Sequence, residues 1–302
     1  MATTLLQSKA LDHLGLVSGM YDELGIEKRI NELVKQNPNC REVSIGRICK
    51  ALVLNGLGFT QRTLYMVSNF FEGKPVEELL GEGVQANQLN DSVLGRALDD
   101  IYAHGTTKLF SALVPDICEA LELSPRFAHM DSTDFHLDGR YNSEEAPDPE
   151  GKVIHLTKGY SRDHRPDLNQ VVLNLITDNQ GGIPLHMEAL NGNSSDKTIF
   201  RQTISEHIKQ LQNVSGFEYL VMDSAGYTSE TISKHSEQIK WISRVPESIN
   251  ACKEAIGANE PLKALDEKHL YRALESDYAG VPQHWMVIWS EEAYNREVKT
   301  LQ

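Results

Sequence analysis

The hydrophobic periodicity of the chain changes near residue 123, and this change separates two kinds of fold. Before it, apolar residues recur at the i, i+3, i+4 and i+7 spacing of amphipathic helices. Such runs are found over 26–34, 45–53 and 94–101. Asp91 is predicted to cap the third run, and one more helix is predicted over 106–121. We therefore predict an all-α N-terminal domain over residues 1–122.

After the change, short β-rich runs are bounded by turn residues. They lie at 126–130, 152–160, 170–177, 183–190, 218–222, 238–243 and 285–289. Helices are predicted over 196–212 and 228–235. Antiparallel strands followed by alternating helix and strand indicate an α/β fold with a mixed sheet flanked by helices. We predict that its core covers 123–244 and that a further, partly β-rich region covers 245–302.

The composition excludes several classes of protein. Of 302 residues, 40% are hydrophobic and 24% charged, which excludes a collagen-like or wholly disordered chain. No apolar run reaches the roughly 18 residues of a membrane helix, and no secretory signal is recognisable, so a cytoplasmic protein without a membrane partner is expected. The four cysteines, at 40, 49, 118 and 252, form no CxxC pair, which favours reduced thiols over a structural zinc site.

The net charge of −14 argues against a generally polyanion-binding surface, so any contact with nucleic acid has to be local. One segment is locally basic. Its cationic residues are Lys152, Lys158, Arg162 and Arg165, with His155 and His164 nearby and one acid, Asp163, among them. A solvated basic loop and a phosphate-binding loop are both compatible with this pattern.

Asp131 and Asp223 are singled out by their positions. Each directly follows an apolar run, AHM before Asp131 and LVM before Asp223. Carboxylates held on neighbouring strands can share a pair of Mg²⁺ ions about 3.5–4 Å apart. Magnesium prefers oxygen ligands, so two or three carboxylates suffice. The alternative is that each aspartate only caps the turn after its strand.

Four blocks in order resemble the DDE transposases of bacterial insertion sequences, in the insertion-sequence-four superfamily. They read MDSTDFHLDG from Met130, GYSRDHRPDLNQ from Gly159, GGIPLHMEALNGNSSD from Gly181 and VMDSAGYTSE from Val221. The helical N-terminus resembles the leader domain of one branch of that superfamily.

The resemblance implies an RNase H-like catalytic core with Asp131 and Asp223 as the first two catalytic, metal-binding carboxylates. The cofactor would be Mg²⁺ (or Mn²⁺), and the partner double-stranded DNA, both transposon ends and target. Lys152, Lys158, Arg162, His164 and Arg165 would face phosphates. A homodimer when full length, and a bacterial, nucleoid-associated location, are expected.

The family's third carboxylate, a glutamate on a helix beyond a β-rich insertion, has no clear counterpart. Residues 245–302 resemble the start of that insertion, so a truncated copy is expected. Glu291, Glu292 and Glu297 precede a completed insertion, and Glu188 lies on a core strand, so none is assigned. Two alternatives remain: a catalytically inactive DNA-binding or interaction fragment, and a haloacid-dehalogenase-type phosphatase, whose strand-end motif resembles Asp131-Ser132-Thr133.

Overall fold

The computed structural model describes residues 8–36, 42–139, 153–161 and 164–301. The chain divides into two compact units. The first comprises Met1–Ser124 with Leu185–Glu188, and the second comprises Pro125–Pro184 with Ala189–Gln302. Among the described residues, no helix combines the length and the apolar character needed to cross a bilayer.

The first unit is helical, as predicted. Its helices are α1 (Asp12–Glu23), α2 (Ile26–Leu33), α3 (Ile45–Leu57), α4 (Val67–Phe71), α5 (Val76–Leu80), α6 (Asp91–His104) and α7 (Thr106–Ala120). Ser44 caps α3 by accepting a hydrogen bond from the Arg47 N–H. Asn90, and not Asp91, caps α6, because its side chain accepts from the Val93 N–H while Asp91 is already the first helical residue.

The predicted apolar faces form the core of this unit. Ile45 and Ile48 of α3, at the i and i+3 positions of one side of the helix, are fully buried, and so are Ala51 and Leu54. Lys50 is also buried, and its ammonium group lies 2.7 Å from both carboxylate oxygens of Asp22 on α1. This ion pair allows a lysine on the buried side of α3.

A five-stranded mixed sheet flanked by helices, formed mostly by the second unit, confirms the predicted fold class. Its strands are β1 (Phe127–Leu137), β2 (Asn169–Asp178), β3 (Pro184–Asn191), β4 (Tyr219–Met222) and β5 (Lys240–Ser243), in the order β3-β2-β1-β4-β5. β1 pairs antiparallel with β2 and parallel with β4, and β4 pairs parallel with β5. The helices are α8 (Asp196–Glu206), α9 (Ile208–Ser215) and α10 (Ser229–His235).

Three details differ from the prediction. β1 does not end at Met130 but continues to Leu137, because β2 still pairs with it after β4 has ended. The run over 152–160 is no strand in its described part and makes only an isolated bridge between Thr157 and Gln170. The helix predicted over 196–212 is interrupted at His207, where φ is −119°, outside the α-helical range.

A second, three-stranded sheet follows in the same unit. After α11 (Asn250–Gly257) come β6 (Lys263–Ala264), β7 (His269–Ser276) and β8 (Gln283–Ser290), in the order β6-β7-β8, and then α12 (Glu291–Leu301). Tyr227, Ile232, Cys252 and Trp285 form a buried cluster here. Cys49, Cys118 and Cys252 form no disulfide within the described residues, whereas Cys40 lies outside them.

Candidate active site

The parallel pairing of β1 with β4 places the two predicted carboxylates side by side. Met130 is the register partner of Met222, so Asp131 and Asp223 directly follow paired residues on neighbouring strands. Both methionines are buried and both aspartates are exposed. Because side chains alternate between the two faces of a sheet, the two carboxylates leave the same face, on backbones about 4.8 Å apart. The register places Asp131 and Asp223 directly after paired residues of neighbouring strands, and it stays a prediction that their carboxylates share metal ions.

The backbone holds each carboxylate in a different way. Asp131 lies inside β1, and its Oδ1 accepts a 2.8 Å hydrogen bond from the Ser132 N–H. Asp223 follows the last residue of β4, and its Oδ1 accepts a 2.7 Å hydrogen bond from the Ala225 N–H at the start of a short 3₁₀ helix. Asp223 therefore does cap a turn, as the alternative interpretation held, but this occupies one of its oxygen atoms and does not exclude a metal ligand.

A polar contact that the sequence analysis did not identify lies on the opposite face of β1. The Ser132 hydroxyl, which is 4% exposed, donates a 2.5 Å hydrogen bond to Oδ1 of Asp196 at the first residue of α8. Asp196 ends the third of the four sequence blocks, which is the signal that pointed to it. Its link to the neighbour of Asp131 depends on the three-dimensional fold and could not be read from spacing.

The basic segment is only partly described. Lys152 and Arg162 lie outside the described residues, so their predicted DNA contacts have no structural description. Lys158 and His164 are exposed. Arg165 is exposed as well, but its Nε and Nη2 each donate a 2.9 Å hydrogen bond to the carboxylate of Asp167. This hydrogen bonding lowers the pKa of Asp167 to about 2 and raises that of Arg165.

Close backbone packing fixes the segment that carries Lys158. The Gln170 N–H donates to the Thr157 carbonyl at 3.0 Å, and the Gly192 N–H donates to the His155 carbonyl at 3.1 Å. The buried side-chain amide of Gln170 donates to the carbonyls of Tyr160 and Gly192, at 3.1 and 2.8 Å. The segment is thereby attached to the beginning of β2 and to the residue that follows β3.

Among the residues that the structure describes, no third carboxylate is assigned to the pair. Glu291, Glu292 and Glu297 are exposed on α12, which follows the second sheet. Glu188 lies on β3, with Oε2 3.8 Å from Nε2 of His186.

The antiparallel pairing of β1 and β2 also differs from the parallel Rossmann-like sheet that a haloacid-dehalogenase-type phosphatase would require.

The structure is thus a mixed sheet in which two adjacent parallel strands, β1 and β4, carry or lead directly into the two aspartates. The model of the transposase DDE domain matches residues 123–287, which is more than half of the chain. The chain therefore belongs to the transposase DDE-domain family. Residues 6–115 match a domain of unknown function (DUF4277).

Three solved structures are similar at low identity. A piggyBac transposase synaptic complex with hairpin DNA matches at 7% identity and a TM-score of 0.36, over 96% of this chain and 55% of that one. A Mos1 transposase paired-end complex with the left transposon end matches at 12% and 0.26, over 73% and 76%. A pre-cleavage Mos1 transpososome matches at 12% and 0.24, over 74% and 77%. The chain spans about half the length of the piggyBac chain, and no curated protein matches.

Proposed function

We propose that this chain is a DDE transposase of a bacterial insertion sequence, which cleaves and joins DNA at transposon ends with divalent metal ions held by Asp131 and Asp223. The observation that carries the proposal is the parallel register of β1 and β4, whose last paired residues are directly followed by the exposed Asp131 and Asp223. The match of residues 123–287 to the transposase DDE domain supports the same reaction class.

The donor set fits a hard divalent cation. Carboxylate oxygens are the ligands that Mg²⁺ and Mn²⁺ prefer, and an exposed position leaves room for the water molecules that Mg²⁺ retains. When bound, such ions would activate a water or a 3′-hydroxyl and stabilise the leaving oxygen of a phosphodiester. The protein itself contributes the two aspartate carboxylates, whose backbone positions are fixed by the sheet.

The proposed DNA contacts are Lys152, Lys158, Arg162, His164 and Arg165. Gln170, to which the segment of Lys158 is attached, pairs with His136 on β1. His136 comes five residues after Asp131, which corresponds to about 17 Å along an antiparallel strand. A duplex that binds at the carboxylates and extends along β1 would reach this segment. Its phosphates would then contact the basic side chains of the segment.

The proposal assigns the role of a third carboxylate to none of Glu188, Glu291, Glu292 and Glu297. Two carboxylates hold one hard cation well and a second one loosely. We therefore expect weak metal binding and little or no cleavage by this chain, while DNA binding is retained. A homodimer of the full-length protein belongs to the same proposal, and so does a location with the bacterial nucleoid.

The test combines metal binding with DNA nicking. Mn²⁺ affinity is measured by calorimetry for the chain, for Asp131→Asn, for Asp223→Asn and for the control Asp277→Asn, which removes an exposed carboxylate elsewhere in the same unit. We expect only the first two variants to lose Mn²⁺ binding. Equal affinities in all four proteins would overturn the proposed site.

Nicking of supercoiled plasmid in Mg²⁺ or Mn²⁺ then tests catalysis. Robust nicking that Asp131→Asn abolishes would support the transposase activity and show that a carboxylate within residues 1–302 completes the site. Binding of DNA and Mn²⁺ without nicking is the expected result. Binding of DNA without Asp131-dependent Mn²⁺ binding would instead favour the non-catalytic DNA-binding alternative.

A further inference from the structure

We propose that Asp196 is a positioning residue that fixes the Asp131 carboxylate through Ser132. The inference rests on the proposed function, since it concerns one of the two proposed metal ligands. It starts from two hydrogen bonds that meet at one residue: the Ser132 N–H donates to Asp131 Oδ1 at 2.8 Å, and the Ser132 hydroxyl donates to Asp196 Oδ1 at 2.5 Å.

The first hydrogen bond links Asp131 to the backbone just beyond the part of β1 that pairs with β4, which ends at Met130. There the Ser132 N–H donates to the side chain of the preceding residue, Asp131. The position of the Ser132 backbone therefore sets the position of one Asp131 oxygen, and a shift of that backbone would move the oxygen with it.

The second hydrogen bond holds this backbone against α8. A hydroxyl that donates to a carboxylate makes a charge-assisted hydrogen bond, which is stronger than one between neutral groups. Asp196 lies in the first turn of α8, where the helix dipole stabilises a negative charge. The carboxylate is thus kept as an acceptor for the Ser132 hydroxyl.

The buried side of α8 carries both apolar and polar contacts. Ile199, Phe200 and Ile204 are buried there. A second polar contact joins α8 to the sheet, in which the Asn174 amide donates a 2.8 Å hydrogen bond to the Thr203 hydroxyl. Asn174 is the register partner of Ser132 on β2. Thr203 follows Asp196 by two helical turns, so both polar contacts lie on one side of α8.

The pair of Asn174 and Thr203 supplies a matched control. It joins the same helix to the same sheet, but it does not involve the backbone next to Asp131. The variants are therefore Asp196→Ala, Ser132→Ala and the conservative Asp196→Asn, with Thr203→Val as the control. Thermal unfolding is recorded for each, since all four changes remove or weaken an interaction of α8.

Two measurements are made on the full chain: Mn²⁺ affinity, and the chemical shift of the Ser132 amide proton, with Asp131→Ala giving the shift without the hydrogen bond. We expect Asp196→Ala and Ser132→Ala to move the shift toward that reference and to weaken Mn²⁺ binding about tenfold. Asp196→Asn, which keeps an acceptor oxygen, should weaken it by no more than about threefold. Thr203→Val should lower only the unfolding temperature.

The inference is overturned if Asp196→Ala leaves the Ser132 amide signal unmoved, or if it weakens Mn²⁺ binding no more than Thr203→Val does. The two readouts also separate this inference from the proposed function. If Mn²⁺ binding of the unmodified chain does not depend on Asp131, the proposed function fails, and the amide signal alone then decides whether Asp196 fixes the Asp131 carboxylate.

Discussion

The guanidinium of Arg165 is already hydrogen-bonded to a neighbouring carboxylate, which bears on its proposed contact with DNA. Its two parallel hydrogen bonds to Asp167 form the bidentate geometry that arginine also uses for phosphate. The basic segment defined from the sequence ends at Arg165, so it does not include the negative charge of Asp167, two residues further on. To contact a phosphate with these donors, Arg165 has to break its hydrogen bonds to the Asp167 carboxylate.

Replacing Asp167 by Asn is therefore expected to strengthen DNA binding. The change frees Arg165 for a phosphate, so we expect about threefold tighter binding at low salt and a salt dependence steeper by about 0.9 in the logarithmic slope. Fluorescence anisotropy with a duplex oligonucleotide at several salt concentrations measures both. Glu237→Gln removes the same charge at another exposed position. Equal effects of the two variants would assign the gain to net charge alone.

The pH dependence of this ion pair has a defined sign. Because the pKa of Asp167 is lowered to about 2 in the folded chain, the pair contributes to stability above the ordinary range of aspartate and is lost as the pH falls through about 2. Between pH 5 and 8 the pair stays formed. We expect the ratio of the DNA affinities of Asp167→Asn and the unmodified chain to be constant across that range.

Asp223 has a structural contribution that can be separated from its proposed metal binding. Asp223→Ala removes the side-chain acceptor of the Ala225 N–H and should lower the free energy of unfolding by about 1 kcal/mol. Asp223→Asn keeps an acceptor and should cost only a few tenths of that. Urea denaturation measures the difference, and identical unfolding free energies would contradict the capping role.

For individual residues, the sequence identified the candidate site residues more successfully than it identified their hydrogen-bond partners. Asp131 and Asp223 were found because each follows an apolar run, and adjacent strands then brought them together. The cap of α6 was wrong by one residue, since Asn90 and Asp91 are both good caps and only the backbone geometry distinguishes them. Asp196 could not be connected to Ser132, because 64 residues separate them along the chain.

Among the structural elements, the segment that carries Lys158 packs closely against the chain at Gly159 and Gly192. At both positions the absence of a side chain lets main-chain atoms come into contact. A Cβ atom built on Gly192 would lie 2.1 Å from the Gln170 carbonyl oxygen and 2.4 Å from that of Thr157. One on Gly159 would lie 2.1 Å from the Gly192 carbonyl oxygen. These contacts involve main-chain atoms, which cannot move aside as a flexible side chain can.

Gly192→Ala is therefore expected to detach this segment. We predict a loss of about 1–3 kcal/mol in the free energy of unfolding, the range for inserting atoms into a packed region. The amide of Gln170 should then exchange with solvent faster, which hydrogen exchange measures. Gly181→Ala is the control, because its Cβ would meet only the Ile183 side chain, at 3.4 Å. An equal loss in both variants would contradict the close packing.

The prediction of elements succeeded where the apolar pattern was continuous. β2, β3, β8, α3, α6 and α7 lie within a few residues of their predicted bounds, whereas α1 was not predicted. The extension of β1 was missed because STDFHL has little apolar character, and its strand conformation depends on pairing with β2. The run over 152–160 has strand-like residues but forms only one bridge.

For the molecule as a whole, the second sheet leaves an apolar edge. β8 pairs with β7 and lies at the end of the strand order β6-β7-β8. Met286 and Ile288 on β8 are 53% and 55% exposed. An edge strand with exposed apolar side chains favours association between chains, which the net charge of −14 opposes.

Ile288→Lys is expected to reduce self-association of the chain. A lysine on an edge strand opposes pairing with another strand, so light scattering at high salt, where the net charge is screened, should fall relative to the unmodified chain. Thr300→Lys makes the same change of charge at an exposed position of α12 and should have little effect. A similar decrease in both variants would show that association does not involve β8.

The register between β1 and β4 also sets which changes of chain length this protein can tolerate. β4 pairs with β1 through only four residues, Tyr219 to Met222. Deleting one residue from it would turn the side chain of Asp223 to the other face of the sheet, because strand side chains alternate with a period of two. Insertions in the turn at 179–183 would leave that register untouched. Homologous chains that keep the reaction should therefore vary in length at that hairpin and never within β4.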